Sequence, residues 1–287
     1  MEQIIMYGGS EYSFQVDSEI VRHSYNTNDN YLIEYSDDIL DKEYCAIYFT
    51  SNFLYFPNDA ETFKKRVVVR NAFEWYGIRH PLAYKHIFVR DVFKQWYLKG
   101  INISINSPEK LLSFLEKETK NYKTICIGSS AGGYAAILYG TLLKSERVYA
   151  FNSQFELFSL LSTSESKNPI IKRCSNSELR KYYDLTSLLD FSQSRIYYMY
   201  SNKSAWDRNQ MKYVGKRDGV HTIGFNNPLH GVPFLKAALP VFFSLSDDQL
   251  SVFEDHDYNP FFFSVKLIGV RRALVGLYKQ YKASKKR

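Results

Sequence analysis

The chain is poor in cysteine and has no long apolar run. Its 287 residues include three cysteines, Cys45, Cys126 and Cys174, and none are spaced as CxxC. An odd count without that spacing argues against a disulfide framework, and no basic-apolar leader opens the sequence. We therefore expect a reducing, cytoplasmic location. No stretch approaches the roughly 18 to 20 apolar residues of a membrane-spanning helix. No His/Cys/Asp grouping has metal-ligand spacing, so we expect no metal.

Acidic residues are missing from the last part of the chain, where basic ones accumulate. The net charge is +7, and apolar residues alternate at helical spacing with eight cations: Lys266, Arg271, Arg272, Lys279, Lys282, Lys285, Lys286 and Arg287. This pattern predicts a basic amphipathic helix. It would attach to an anionic membrane surface or a partner protein, or pack on the domain with a solvated basic end. The lack of a recognisable binding motif argues against nucleic acid as a partner.

Short apolar strands alternate with helical patterns through the rest of the sequence. No repeat or Pro/Gly-rich linker divides it, so we predict a domain over 1–245 followed by a helical extension over 246–287. The predicted strands are Gln3–Tyr7, Tyr12–Val16, Tyr31–Tyr35, Ala46–Thr50, Val67–Arg70, His86–Val89, Thr124–Gly128, Val148–Asn152, Arg195–Tyr200 and His221–Phe225. The predicted helices are Pro108–Thr119, Ala131–Leu143, Glu178–Tyr183 and Val232–Leu245. Such alternation predicts a mostly parallel central sheet with helices on both faces, the first two strands being antiparallel edge additions.

A serine stands at the centre of a glycine-flanked turn in this pattern. Ser130 lies in Gly128-Ser129-Ser130-Ala131-Gly132, between the strand KTICI and the helix YAAILYG. A G-x-S-x-G turn from strand to helix exposes the serine hydroxyl and directs the next backbone N–H, here of Ala131, toward a developing oxyanion. Ser130 is therefore the predicted nucleophile. The alternatives are a turn without chemistry or a phosphate loop, although the G-K-[ST] ending of a P-loop is missing.

A nucleophilic serine needs a histidine base, and three histidines follow it. His221 opens the strand HTIGF, and His256 lies in an acidic, exposed run. His230 lies in the loop FNNPLHGVPF after that strand, which is where the base of such a fold belongs. His230 is the predicted base, and a loop histidine that caps the next helix is the alternative.

The orienting carboxylate should follow the strand before the histidine strand. Asp207 comes just after IYYMY, and its alternative role is an ion pair with Arg208. Other carboxylates are less well placed: Glu156, Asp184, Asp190 and Asp218.

Two further groups of residues are candidates for binding. The second oxyanion donor is expected in the loop after CAIYFT, as the backbone N–H of Asn52 or Phe53. Arg90, Trp96 and Tyr97, in VRDVFKQWYLKG, combine charge and rings and could line an acceptor cleft. The alternative for these three is an amphipathic helix whose rings face the core.

The segments ICIGSSAGGYAAILYG, YFTSNF, SNKSAWD and LHG resemble the bacterial capsular-polysaccharide O-acetyltransferases of α/β-hydrolase fold. The resemblance is discontinuous and spans roughly residues 45 to 245. It implies acetyl transfer from acetyl-coenzyme A to a sugar hydroxyl, with Ser130 as acyl carrier, His230 as base and Asp207 orienting it. It also implies a polysaccharide acceptor, and the basic helix could then contact a capsule-assembly complex. An esterase with the same triad and a non-catalytic assembly partner are the alternative functions.

Overall fold

A computed structural model of the chain describes residues 4–7, 10–13, 18–161 and 177–284. The strands are β1 (Ile4–Tyr7), β2 (Ser10–Ser13), β3 (Tyr31–Tyr35), β4 (Tyr44–Phe49), β5 (Ala83–Val89), β6 (Lys123–Ser129), β7 (Arg147–Phe151), β8 (Arg195–Ser201), β9 (Val220–Phe225) and β10 (Asp257–Tyr258). The α-helices are α1 (Glu19–Thr27), α2 (Ala60–Phe63), α3 (Pro108–Thr119), α4 (Ala131–Leu142), α5 (Phe158–Leu161), α6 (Thr186–Leu189), α7 (Ala205–Val214), α8 (Leu239–Phe243), α9 (Asp247–Ser251) and α10 (Pro260–Ser284). Cys174 lies outside the described residues.

One eight-stranded sheet forms the centre of the molecule, in the order β10-β9-β8-β7-β6-β4-β5-β3. Only β3 runs antiparallel to its neighbour, β5, and every other adjacent pair is parallel. Parallel neighbours require crossover connections, which here carry most of the helices. The carboxyl ends of β4, β6, β7, β8 and β9 therefore all reach the same edge of the sheet.

Both faces of the sheet are buried, which explains the nearly continuous apolar strands. Alternate residues of each strand point to opposite faces. One face packs against α3, α4, α6 and α7, through residues such as Leu111, Leu138 and Val214. The other packs against α8 and the segments that follow it, through residues such as Phe242 and Phe253. This three-layer arrangement, with a strand–turn–helix unit at β6 and α4, is the α/β-hydrolase fold, and it confirms the predicted fold class.

Helix α3 shows how local signals set an element. Ser107 accepts a hydrogen bond from the Lys110 N–H (3.2 Å), and Pro108 occupies the first helical turn, where no N–H is needed. Leu111 and Leu115, four residues apart, are buried against the sheet. The predicted bounds of this helix are confirmed.

One predicted strand, one predicted helix and the predicted placement of the first two strands are wrong. The predicted strand Val67–Arg70 belongs to a π-helical segment, Lys64–Val69, in which Val67 is buried while its two neighbouring valines are exposed. The valine run favoured a strand, but tertiary packing of one side chain decided otherwise. The predicted helix Val232–Leu245 shortens to a 3-10 turn, Lys236–Ala238, followed by α8. Strands β1 and β2 pair only with each other in the described residues, and they do not extend the central sheet.

The chain beyond residue 245 is continuous with the same core. Leu250, Phe253 and Phe263 join the cluster on the second face, and β10 pairs with β9. Helix α10 is interrupted at Gly269, whose φ of 76° and ψ of 160° divide it into segments 260–268 and 270–284. No helix in the described ranges is long and apolar enough to cross a membrane.

Candidate active site

Ser130 is the single residue between strand β6 and helix α4, and few residues adopt its backbone conformation. Its φ of 54° and ψ of −125° lie outside both the helical and the extended regions. Backbone strain of this kind costs about 1 to 3 kcal/mol and is concentrated at functional sites. Its N–H is bonded to the Phe151 carbonyl (2.9 Å), which joins the turn to β7. Ser130 is partly exposed, whereas the neighbouring Ser129 is buried.

Two glycines permit this turn because no side chain fits at either position. A Cβ on Gly128 would lie 2.0 Å from the Gly132 carbonyl oxygen. A Cβ on Gly132 would lie 2.2 Å from the Phe49 carbonyl oxygen. The first turn of α4 can therefore approach both its own strand and the end of β4. That approach brings Ser130 beside the loop that follows β4.

Backbone N–H groups of the Ser130 turn and of the loop after β4 are the candidates for oxyanion donors. The first hydrogen bond within α4 runs from the Tyr134 N–H to the Ser130 carbonyl (2.9 Å), and Ser130 provides no side-chain cap. The Ala131 N–H consequently has no acceptor within the helix. In the loop after β4, the Phe53 N–H is bonded to Ser51 Oγ (3.2 Å). The Asn52 N–H has no partner among the described residues, so Asn52 fits a second donor better than Phe53.

His230 and Asp207 meet at the carboxyl edge of the sheet, as the sequence predicts. His230 Nδ1 lies 2.8 Å from Asp207 Oδ1, and the carboxylate is fully buried. A carboxylate only accepts hydrogen bonds, so we assign the proton to Nδ1, which leaves Nε2 as the basic nitrogen. Asp207 occupies the first turn of α7, where Ser204 Oγ accepts its N–H (3.4 Å).

The His230 loop is held by two polar residues that the sequence analysis missed. Asn152, directly after β7, donates from Nδ2 to the Gly231 carbonyl (2.7 Å) and to Ser201 Oγ (2.9 Å). Ser201, at the end of β8, donates from Oγ to the Leu229 carbonyl (2.7 Å). The residues on both sides of His230 are therefore bonded to side chains at the carboxyl ends of β7 and β8, at the same sheet edge as the Ser130 turn. The only sequence signal was a polar residue at the end of each apolar strand.

Trp206 is a further residue that sequence reasoning missed. Its ring stacks on the His230 imidazole, with centroids 4.8 Å apart and planes 18° apart. The contact fixes the plane of the imidazole ring.

Arg90, Trp96 and Tyr97 lie in the interior and do not line a cleft. Arg90 donates to Asn30 Oδ1 (3.0 Å) and lies over the Phe73 ring, 4.6 Å from its centroid. Trp96 Nε1 donates to Gln154 Oε1 (2.9 Å), and the Tyr97 hydroxyl donates to the Thr50 carbonyl (2.8 Å). These bonds make the three residues supports of the loops around the site, although the segment forms turns and not the helix of the alternative interpretation.

Other candidate residues are engaged elsewhere. Arg208 donates to the Asn202 carbonyl (2.8 Å), so the alternative ion pair with Asp207 is not formed. His221 lies within β9 and is bonded through Nδ1 to Glu254 Oε2 (2.9 Å). Glu156 accepts from Gln210 Nε2 (2.8 Å). His256 is exposed, as expected from its acidic surroundings.

Comparisons with known proteins give distant likenesses. No family model matches the chain, and no curated protein matches its sequence. A solved capsule O-acetyltransferase of Neisseria meningitidis serogroup A is 12% identical, with a TM-score of 0.47, over 68% of this chain and 83% of that one. The serine hydrolase FphF of Staphylococcus aureus is 12% identical (TM-score 0.42; 78% and 89% covered). A lipase/esterase of Lactobacillus plantarum is 9% identical (TM-score 0.41; 78% and 87% covered).

Proposed function

We propose that the chain is a serine-dependent acyltransferase that works through an acyl-Ser130 intermediate. The observation that carries the proposal is the hydrogen bond between His230 and the buried Asp207 carboxylate, at the same sheet edge as the strained Ser130 turn. Serine is a weak nucleophile until a base takes its proton, and an imidazole held by a carboxylate is such a base. Two backbone N–H groups, of Ala131 and Asn52, complete the set of groups that acyl transfer requires.

The chemistry proceeds in two balanced steps. His230 Nε2 takes the proton of Ser130 as its Oγ attacks the acyl carbonyl, and the Ala131 and Asn52 amides stabilise the oxyanion. The bond to the leaving group breaks, and His230 returns the proton to that group. An acceptor hydroxyl then attacks the acyl-serine, His230 takes its proton, and Ser130 is released with the proton restored. Asp207 holds the imidazole tautomer through both steps.

For the donor and acceptor we propose acetyl-coenzyme A and a hydroxyl of a bacterial surface polysaccharide. The resemblance of the sequence segments to capsule O-acetyltransferases supports this pairing. With water as acceptor, the same residues make an esterase.

A fluorophosphonate probe tests the nucleophile directly. We expect wild-type protein to be labelled on Ser130, Ser130→Ala to lose the label, and Ser129→Ala, its matched control, to keep it. Labelling that persists in Ser130→Ala, or no labelling of the wild type, would contradict the proposal. The second result would favour a non-catalytic assembly role.

Thiol release from acetyl-coenzyme A distinguishes transferase from esterase. We expect release to depend on added surface oligosaccharide and the sugar to gain one acetyl group by mass spectrometry. Equal release without any sugar would reject the transferase and leave the esterase.

A further inference from the structure

The second segment of α10, residues 270–284, carries an apolar stripe that faces away from the protein. Val270, Leu274, Leu277 and Tyr278 are each between 45% and 64% exposed. They are separated by four, three and one residues, and at 100° per residue this spacing places them in one band about 100° wide. Such a band normally faces a core. Here it is open to solvent along more than two helical turns.

The orientation of this stripe is fixed by a second face of the helix, roughly 120° away from it. Ala273 is fully buried, and a Cβ on Gly276 would lie 2.7 Å from the Ala237 Cβ, so the helix rests closely on that residue. Gln280 Oε1 accepts a hydrogen bond from the Lys236 N–H (3.3 Å). Because these contacts hold one face, the stripe cannot turn inward without breaking them.

Basic side chains border the stripe along its length. Arg271, Arg272, Lys279 and Lys282 are all exposed. Helical geometry places Arg271 and Lys282 next to Tyr278, with Lys279 and Arg272 further round. The sequence from Lys266 to its end contains no Asp or Glu that could neutralise them. The surface therefore combines three parallel zones: the contact with the domain, the apolar stripe and the basic border.

We propose that this face of α10 binds the surface of an anionic lipid bilayer, with the helix axis parallel to the membrane. An apolar band next to a row of cations matches the boundary between acyl chains and negative headgroups. A second copy of the chain would bring two rows of cations together, which charge repulsion opposes. The inference is independent of the proposed function, since none of these residues belongs to the Ser130 site.

Flotation of the full chain with vesicles tests the proposal. We expect binding to phosphatidylcholine vesicles that contain phosphatidylglycerol, much weaker binding to pure phosphatidylcholine, and a loss of binding at high salt. Each basic residue near the surface contributes roughly fivefold to the affinity. Arg271→Gln with Lys282→Gln should therefore weaken binding roughly twenty-five-fold.

The apolar stripe is tested by Leu274→Glu with Leu277→Glu. We expect vesicle binding to be lost while thermal unfolding and fluorophosphonate labelling are kept, because both side chains are already half exposed. Leu40→Glu is the matched control, since Leu40 is an exposed leucine near β3, at the other edge of the sheet. It should bind vesicles as the wild type does.

Several outcomes would overturn the inference. These are equal binding to neutral and anionic vesicles, no binding to either, or wild-type binding by the stripe variant. A dimer by light scattering that Leu274→Glu dissociates, without vesicle binding, would assign the stripe to a second copy. Binding to polyglutamate but not to vesicles would assign it to an acidic protein.

Discussion

Two histidines of this fold, His230 and His86, are both held by hydrogen bonds but in opposite settings. His86 is fully buried in β5, with Nδ1 3.0 Å from the Tyr48 hydroxyl and Nε2 2.8 Å from Ser36 Oγ. Burial lowers its pKa to about 4, so it stays neutral. His230 has a carboxylate on one nitrogen, no partner on the other among the described residues, and a side chain 29% exposed. A histidine can therefore serve as a base only where one nitrogen is oriented and the other can be reached.

The largest expected effect is the difference in activity between substitutions of His230 and of His86. We expect His230→Ala to lower kcat/KM by roughly 10⁶-fold, because the base and the nucleophile act as one unit. His86→Asn should keep activity within a small factor under conditions where it is folded. Steady-state rates with acetyl-coenzyme A or an activated acetyl ester measure both. A His230→Ala enzyme with near wild-type activity would refute the assignment of the base.

Asp207→Asn should reduce activity less, by roughly 10⁴-fold, because the amide no longer fixes the productive tautomer. The neighbouring substitution Arg208→Gln is the control, since Arg208 bonds only the Asn202 carbonyl in the contacts described above. Rates for both variants should be measured with thermal unfolding to confirm the fold. Equal losses in the two variants would indicate a general disturbance of α7 and not a specific role of Asp207.

We expect His86 to make the free energy of unfolding depend on pH. Its unfolded pKa is near 6.5 and its folded pKa about 4, so below pH 6.5 the unfolded chain binds a proton that the folded chain excludes. His86 is therefore stabilising above pH 6.5, and this contribution is lost as the pH falls from 6.5 toward 4. The slope is at most about 1.4 kcal/mol per pH unit. Urea unfolding between pH 7.5 and 5 should show a shallower slope for His86→Asn.

His80 makes the same kind of contribution, because burial lowers its pKa to about 3. The His86→Asn protein should consequently keep part of the pH dependence. If the wild type and His86→Asn lose stability in parallel as the pH falls, the expected role of His86 is wrong.

The smallest effect concerns the ring stacked on His230. Trp206→Leu should lower kcat about fivefold with KM little changed, since a contact worth roughly 1 kcal/mol with the charged imidazole is lost. Trp206→Phe should recover most of the rate, because it restores an aromatic face against the imidazole. A change in KM alone would point to a role in substrate binding instead.

Sequence reasoning placed structural elements correctly where the pattern that marks them is local. The Ser130 turn was visible because glycines, strand and helix lie within about twenty residues. The order of Asp207 and His230 followed from their positions after successive strands. Asn152, Ser201 and Trp206 were missed because no motif marks them, and their contacts with the His230 loop exist only in the folded chain.

Two predictions were wrong because the sequence does not show which residues pack together in the fold. A charged and aromatic segment after β5 suggested a cleft, yet Arg90, Trp96 and Tyr97 are buried and bonded internally. A polar residue in a sequence can either face water or be buried with its hydrogen bonds made inside the protein, and the sequence does not distinguish the two. The valines near Val67 favoured a strand by composition, but Lys64–Val69 is π-helical and, of these valines, buries Val67 alone.

The sequence by itself determined the class of fold, the strand–turn–helix unit at Ser130 and the basic amphipathic end, because apolar periodicity, glycine and charge act over short distances. Only the tertiary structure decided that His230 Nδ1 lies 2.8 Å from Asp207 Oδ1 and that the apolar stripe of α10 faces solvent. It also decided that burial lowers the pKa of His86. These outcomes depend on which surfaces meet when the chain closes on itself. Whether a side chain is buried, and therefore how readily it takes a proton, depends on the whole fold and not on any single segment.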